Sequence, residues 1–102
     1  MPCTYVVKAC VPLELAEPWI AWMRETHIPK LLAIQGFRTA QIAAVEDEAT
    51  TVRTFAIAYA LTSREALDTY LRSPQCTALR AESAARFGDA VHYSREIWSS
   101  PE

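Results

Sequence analysis

From Arg53 to Ala60 the chain sorts its side chains by size at every second residue. Arg53, Phe55, Ile57 and Tyr59 alternate with Thr54, Ala56, Ala58 and Ala60. Period two puts the two sets on opposite faces of one β-strand. The bulky set reads as the face that helices cover. The small set lets another sheet approach closely, so it reads as packing surface and not as solvent surface. Few folds accept such a strand.

The remaining segments narrow the choice further. Tyr5 to Val11 alternates Tyr5, Val7, Ala9 and Val11 against Val6, Lys8 and Cys10, a strand that Pro12 ends. A helical stretch follows, from Glu14 or Glu17 to Ile34. On it Ala16, Ile20, Met23, His27, Leu31 and Ile34 recur at three- and four-residue steps and form one stripe, flanked by Trp19 and Trp22. Pro18 fits only a first turn. Pro29 cannot donate to the carbonyl of Glu25, so a kink or break is expected just after His27, and Gln35-Gly36 stops the helix. Phe37 to Val45 and Thr51 to Leu61 read as two strands joined by the polar hairpin tip at 46–50. Thr62-Ser63-Arg64-Glu65 reads as a capping box for a helix that buries Leu67, Tyr70 and Leu71. Ser73-Pro74 restarts the chain as a further helix through Leu79 and Phe87 to Gly88. Ala90 to Trp98 alternates as the last strand, and the tail from Ser99 to Glu102 reads as loose.

Strand, helix, strand, strand, helix pair, strand is the order of a ferredoxin-like βαββαβ domain of the α+β class. It predicts a four-stranded antiparallel sheet with helices on one face, and residues 1–102 as a single domain. Helices cover one face only. The open face is expected to carry Val6, Cys10, Ala40, Ile42, Ala44, Ala56, Ala58 and Trp98. So large an apolar patch predicts a homodimer, each copy covering the other's sheet with two-fold symmetry.

Composition excludes several functions. A formal net charge of −2 leaves no surplus of Lys and Arg to displace counterions from phosphates, which argues against nucleic acid as a partner. No apolar run approaches the ~20 residues of a membrane span, and MPCTYVVKAC does not read as a secretory signal. Cys3, Cys10 and Cys76 lack any CxxC or His/Cys clustering, so neither a disulfide framework nor a metal site is expected, and a reducing cytoplasm is the simplest location.

Three sets of residues can carry chemistry. His27 lies on the apolar stripe facing the sheet, where a sheltered imidazole serves as a general base or hydrogen-bond donor. The plainer alternative is a structural histidine bonded to carbonyls that Pro29 leaves free. Tyr5, Phe55, Tyr59 and Tyr93 share one side of the sheet, and with Trp22 or Trp19, Met23 and Phe87 above them they can line a slot for a small hydrophobic or aromatic ligand. The same set equally makes plain core. Arg95 and, less strongly, Arg53 share faces with these aromatics and suit a carboxylate, phenolate or enolate at the rim, unless they pair with Glu25, Asp89 or Glu96. A pocket above ~300 Å³ on which His27 and an arginine converge separates site from filled core.

Several residues together resemble the dimeric α/β-barrel superfamily. They are Trp19-Ile20-Ala21-Trp22-Met23, His27-Ile28-Pro29, Gly36-Phe37, Tyr59, Tyr70-Leu71, Leu79-Arg80, Phe87 and Ser94-Arg95. The superfamily includes antibiotic-biosynthesis monooxygenases, muconolactone isomerases and EthD-like proteins, and the chain is most similar to a small uncharacterised bacterial branch. The resemblance implies the barrel-forming dimer and a cofactor-independent enzyme of isomerase, cyclase or monooxygenase type acting on a small aromatic or polyketide-like compound. His27 is then the base or proton shuttle, while Tyr59, Tyr93 and Arg95 orient an oxygen. Some members bind haem, which makes His27 a conceivable axial ligand, but no residue selects that variant and no cofactor is expected. The alternative is a non-catalytic homodimer that binds a ligand or serves as a structural module.

Overall fold

The structure, a computed structural model, describes residues 2–99. Residues 100–102, read above as part of a loose tail, lie outside the described residues, and Ser99 closes the last strand. Four strands form one antiparallel sheet: β1 (Cys3–Pro12), β2 (Phe37–Val45), β3 (Val52–Leu61) and β4 (His92–Ser99), in the spatial order β2-β3-β1-β4. The helices α1 (Ala16–Trp22), α2 (Ile28–Leu32), α3 (Arg64–Leu71) and α4 (Pro74–Phe87) pack on one face. This is the ferredoxin-like arrangement that the element order predicts.

The core lies where the alternation puts it. Tyr5, Val7, Ala9 and Val11 of β1 and Phe55, Ile57 and Tyr59 of β3 are buried under the helices. Trp19 is completely buried, so it forms part of the buried stripe and does not merely flank it. The helix starts follow from capping. Ser63 Oγ accepts from Ala66 N at 3.0 Å, which makes Ser63 the cap of α3 in place of Thr62. Ser73 Oγ accepts from Cys76 N at 3.1 Å ahead of Pro74, as the Ser-Pro pair predicts. Gly36, at φ 97°, ends the first helical stretch, and a Cβ there would sit 2.5 Å from Ala66 Cβ.

Two local irregularities correct the sequence reading, and both bear on function. The first is a β-bulge at the start of β2. Phe37 pairs with Leu61 and Thr39 with Ala60, leaving Arg38 as the extra residue. One inserted residue reverses the facing of every side chain beyond it. Ala40, Ile42 and Ala44 therefore pair with Tyr59, Ile57 and Phe55 on the helix-covered side, not on the open face. Thr39, Gln41, Ala43 and Val45 take the open face, which is more polar than the unbroken alternation predicts.

The second irregularity replaces the expected break after His27. Met23–His27 forms a π-helical turn, in which Ile28 N–H donates to Met23 O, and α2 continues from Ile28 with Pro29 in its first turn. A proline ring clashes with the carbonyl four residues back, and widening the preceding turn relieves that contact without ending the helix.

Candidate functional site

The π turn decides what His27 touches. In a regular α-helix residues five apart point roughly 140° away from each other. Here Trp22 and His27 pack ring against ring, with centroids 4.9 Å apart and planes inclined by 32°. The imidazole is half-buried, and its Nδ1 is enclosed with no hydrogen-bond partner. Burial lowers its pKa to about 4, against the opposing pull of the Glu82 carboxylate and with small contributions from Lys30 and Arg95. His27 is therefore neutral at pH 7. It bonds to none of the carbonyls that Pro29 was expected to leave free.

His27 lines a cavity of about 180 Å³ between the sheet and α4. The buried part of its wall includes Tyr5 and Val7 of β1, Tyr59 of β3, Met23 of the π turn and Leu79 and Ser83 of α4. Its exposed lining residues are Arg80, Ala84, Gly88 and Arg95, so guanidinium groups flank the mouth. Arg80 Nη2 donates to Tyr5 Oη at 3.4 Å, and the Arg95 guanidinium lies 5.6 Å from the centre of the Tyr93 ring. Tyr93 Oη accepts from Trp19 Nε1 at 3.0 Å and shares a 2.7 Å hydrogen bond with Ser83 Oγ. Burial raises the pKa of the Tyr59 phenol, so it stays protonated and can donate a hydrogen bond.

The anticipated site residues separate into two groups. Tyr5, Met23, His27, Tyr59, Tyr93 and Arg95 meet at the cavity. Trp22, Phe55 and Phe87 do not line it. Phe55 stacks on Trp19 at 5.3 Å, and Trp22 sits behind His27, edge-on to Phe87 at 5.4 Å. Arg53 lies away from it, at the hairpin end of the sheet. Among the lining residues that the sequence reading did not place at the site are two polar ones, Arg80 and Ser83. Ser83 had a usable signal, since Cys76, Leu79 and Ser83 recur at three- and four-residue steps and a hydroxyl on a buried stripe needs a partner. The cavity is smaller than the ~300 Å³ threshold, although His27 does converge on it with an arginine. Its size suits one ring and not a tetrapyrrole, so the residues here do not fit a haem with His27 as axial ligand. No group of His, Cys, Asp and Glu among the described residues is arranged to hold a metal ion.

Comparison with known structures bears out the fold. The chain superposes on an EthD family protein from Bacillus halodurans with a TM-score of 0.72 and 14% identity, covering 98% of this chain and 99% of that one. A candidate antibiotic biosynthesis monooxygenase from Nitrosomonas europaea gives 0.68 and 17% identity, with 98% and 90% coverage. SnoaB, a cofactor-independent oxygenase from Streptomyces nogalater, gives 0.66 and 17% identity, with 99% and 94% coverage. No curated protein matches the sequence. A family model described as a domain of unknown function, DUF4286, matches residues 3–99, and the chain belongs to that family.

Proposed function

We propose that the cavity beside His27 binds a small organic molecule and that the protein is a cofactor-independent enzyme in which His27 moves a proton. One observation carries this reading: a half-buried imidazole, held neutral by burial, stands on the wall of a cavity that Tyr59 and Arg95 also line. The enclosed Nδ1 keeps the ring short of partners, and other atoms of the half-buried imidazole face the cavity. A neutral imidazole accepts a proton from an activated C–H, and the resulting imidazolium returns it to another carbon of the same skeleton. That sequence is an isomerisation with no net change in protons. Negative charge developing on the substrate makes the buried imidazole more basic, because an opposite charge offsets the desolvation that weakens it. Tyr59 and Arg95 then orient the oxygen that carries the charge. The oxygenase among the structural neighbours supports a second chemistry for the same arrangement, in which the substrate carbanion meets dioxygen directly.

The working unit in this reading is a homodimer formed through the open sheet face, in the cytoplasm. The half-buried Ala56, Ala58 and Ala60 form a low surface, with Val45 41% and Trp98 54% exposed on the same sheet. A second sheet covering them gains ~25 cal/mol per Å² of apolar surface removed from water. In support of a reducing compartment, Cys3, Cys10 and Cys76 are all free thiols. Small-molecule thermal-shift screening of wild type against His27→Gln tests the site. Fragments that stabilise the wild type and lose their effect in the variant support it; fragments that stabilise both equally remove His27 from the function. Light scattering that finds a single-chain particle at low micromolar concentration removes the dimer and leaves the site to be judged separately.

A further inference from the structure

We propose that the ligand of this cavity is a monocyclic aromatic carboxylate, its ring held among Tyr5, Tyr59, Met23 and Leu79 and its carboxylate between Arg80 and Arg95. The inference rests on reading the cavity as a binding site, and it goes further by fixing both the size and the charge of the occupant.

Size follows from volume. The cavity measures about 180 Å³, and an apolar cavity of about 150 Å³ in another protein is enough to hold benzene. One ring with one small substituent fills the space, whereas fused polycyclic skeletons do not enter it. The buried part of the wall supplies ring faces and aliphatic carbon. Tyr5 and Tyr59 stack against each other, with ring centres 6.2 Å apart and planes inclined by 28°, and both line the space.

Charge follows from the lining. It contains two guanidinium groups and no carboxylate. The ion pairs among the described residues are Lys8–Glu96, Lys30–Glu82 and Arg64–Asp68, and neither Arg80 nor Arg95 takes part in any of them. Glu82, the acidic side chain that acts on His27 from α4, is engaged by Lys30 at 2.7 Å. Arg80 reaches only the Tyr5 hydroxyl, at a long 3.4 Å, and Arg95 rests against an aromatic ring. Both are exposed, so neither loses its hydration until a ligand arrives. A guanidinium presents a planar fork of N–H donors that matches a carboxylate in two parallel hydrogen bonds, and an ammonium does not. An uncharged ligand can accept a single N–H from a fork but forgoes the charge-assisted pair.

Calorimetric titration with benzoate, benzamide, acetate and 2-anthroate, paired with Arg80→Gln and Arg95→Gln, tests the assignment. Benzoate is expected to bind at least about tenfold more tightly than benzamide, which has the same ring without the charge. Acetate and 2-anthroate are expected to bind weakly or not at all. Each arginine variant is expected to weaken benzoate by a clearly larger factor than benzamide, because only the carboxylate loses a charge-assisted pair. Equal binding of benzamide and benzoate, or benzoate silent while neutral fragments bind, overturns the assignment and leaves the binding-site reading standing. Acetate as tight as benzoate overturns it too, because the ring then contributes nothing. Silence from every probe and from the wider fragment screen, in a protein that melts cooperatively, removes both.

Discussion

The two ends of the space beneath the first helical stretch hold similar groups in opposite states. At one end Trp19 is fully buried, stacked on Phe55, with its N–H donated to Tyr93. At the other end His27 stacks on Trp22 with its Nδ1 enclosed and unpartnered beside a hollow. Each is a nitrogen-bearing ring projecting from the same helical stretch toward the same sheet. What differs is the backbone beneath and the supply of partners. Trp19 stands on regular α-helix, whereas His27 ends a π turn. The Tyr93 hydroxyl is already engaged by Trp19 and Ser83. A satisfied polar ring becomes core; an unsatisfied one beside a hollow becomes a candidate site.

Stability measurements test this contrast most severely. Trp19→Ala removes a large buried ring and one of the two hydrogen bonds of the Tyr93 hydroxyl, and is expected to cost about 3–5 kcal/mol in urea denaturation. His27→Leu puts an apolar side chain where a polar atom lacks a partner, and is expected to change stability by less than about 1 kcal/mol in either direction. Comparable losses in the two variants would mean that His27 is as much a structural element as Trp19.

Acidity gives the next largest effect. The His27 pKa of about 4 in the folded chain lies below the ordinary value of 6.5, because burial disfavours the cation. Between those values the unfolded chain binds a proton that the folded chain refuses, so stability rises with pH across that window. The contribution is complete above pH 6.5 and is lost as pH falls toward 4, by on the order of 2 kcal/mol after allowing for the partly exposed ring. Carboxylates titrate in the same range, so the quantity to measure is the difference between wild type and His27→Gln. A wild-type slope no steeper than the variant's would show that the imidazole is solvated. Ser83→Ala is a milder perturbation. It removes the 2.7 Å bond to Tyr93 and is expected to cost about 1 kcal/mol, with most of the Trp19 packing retained.

Much of this molecule was legible in its alternation. The faces of β1, β3 and β4 follow period two without interruption, so Tyr5, Tyr59, Tyr93 and Arg95 could be placed together from sequence alone. The misplacement of Ala40, Ile42 and Ala44 has one cause, the bulge at Arg38. A bulge lengthens a strand by one residue and leaves no compositional mark when no glycine is used. Pro29 announced an irregularity, but the two ways of relieving its clash, breaking the helix or widening the preceding turn, differ through tertiary packing and not through local sequence. The cavity was not legible, since Phe55 and Tyr59 occupy equivalent strand positions and only the helix above decides which of them meets a ring and which meets a space. Arg80 is a case of the same kind, an exposed helical arginine whose reach to Tyr5 depends on how α4 lies across the sheet.

The smallest expected effect probes the electrostatic setting of His27 directly. Lys30 and Glu82 join α2 to α4 through a 2.7 Å ion pair, both about half exposed, so removing either partner is expected to cost no more than about 1 kcal/mol. Their influence on the imidazole is opposite in sign: Glu82 raises its pKa and Lys30 lowers it. Glu82→Gln removes the anion and frees the ammonium, so His27 is expected to titrate lower still. Lys30→Gln does the reverse, and His27 is expected to titrate higher. Imidazole NMR titration of the two variants reads the pair without depending on any ligand. Shifts in the same direction would mean that the ion pair acts on His27 by closing solvent out and not by its charges, which would remove electrostatics from the contrast and leave only burial to separate the hollow end from the filled one.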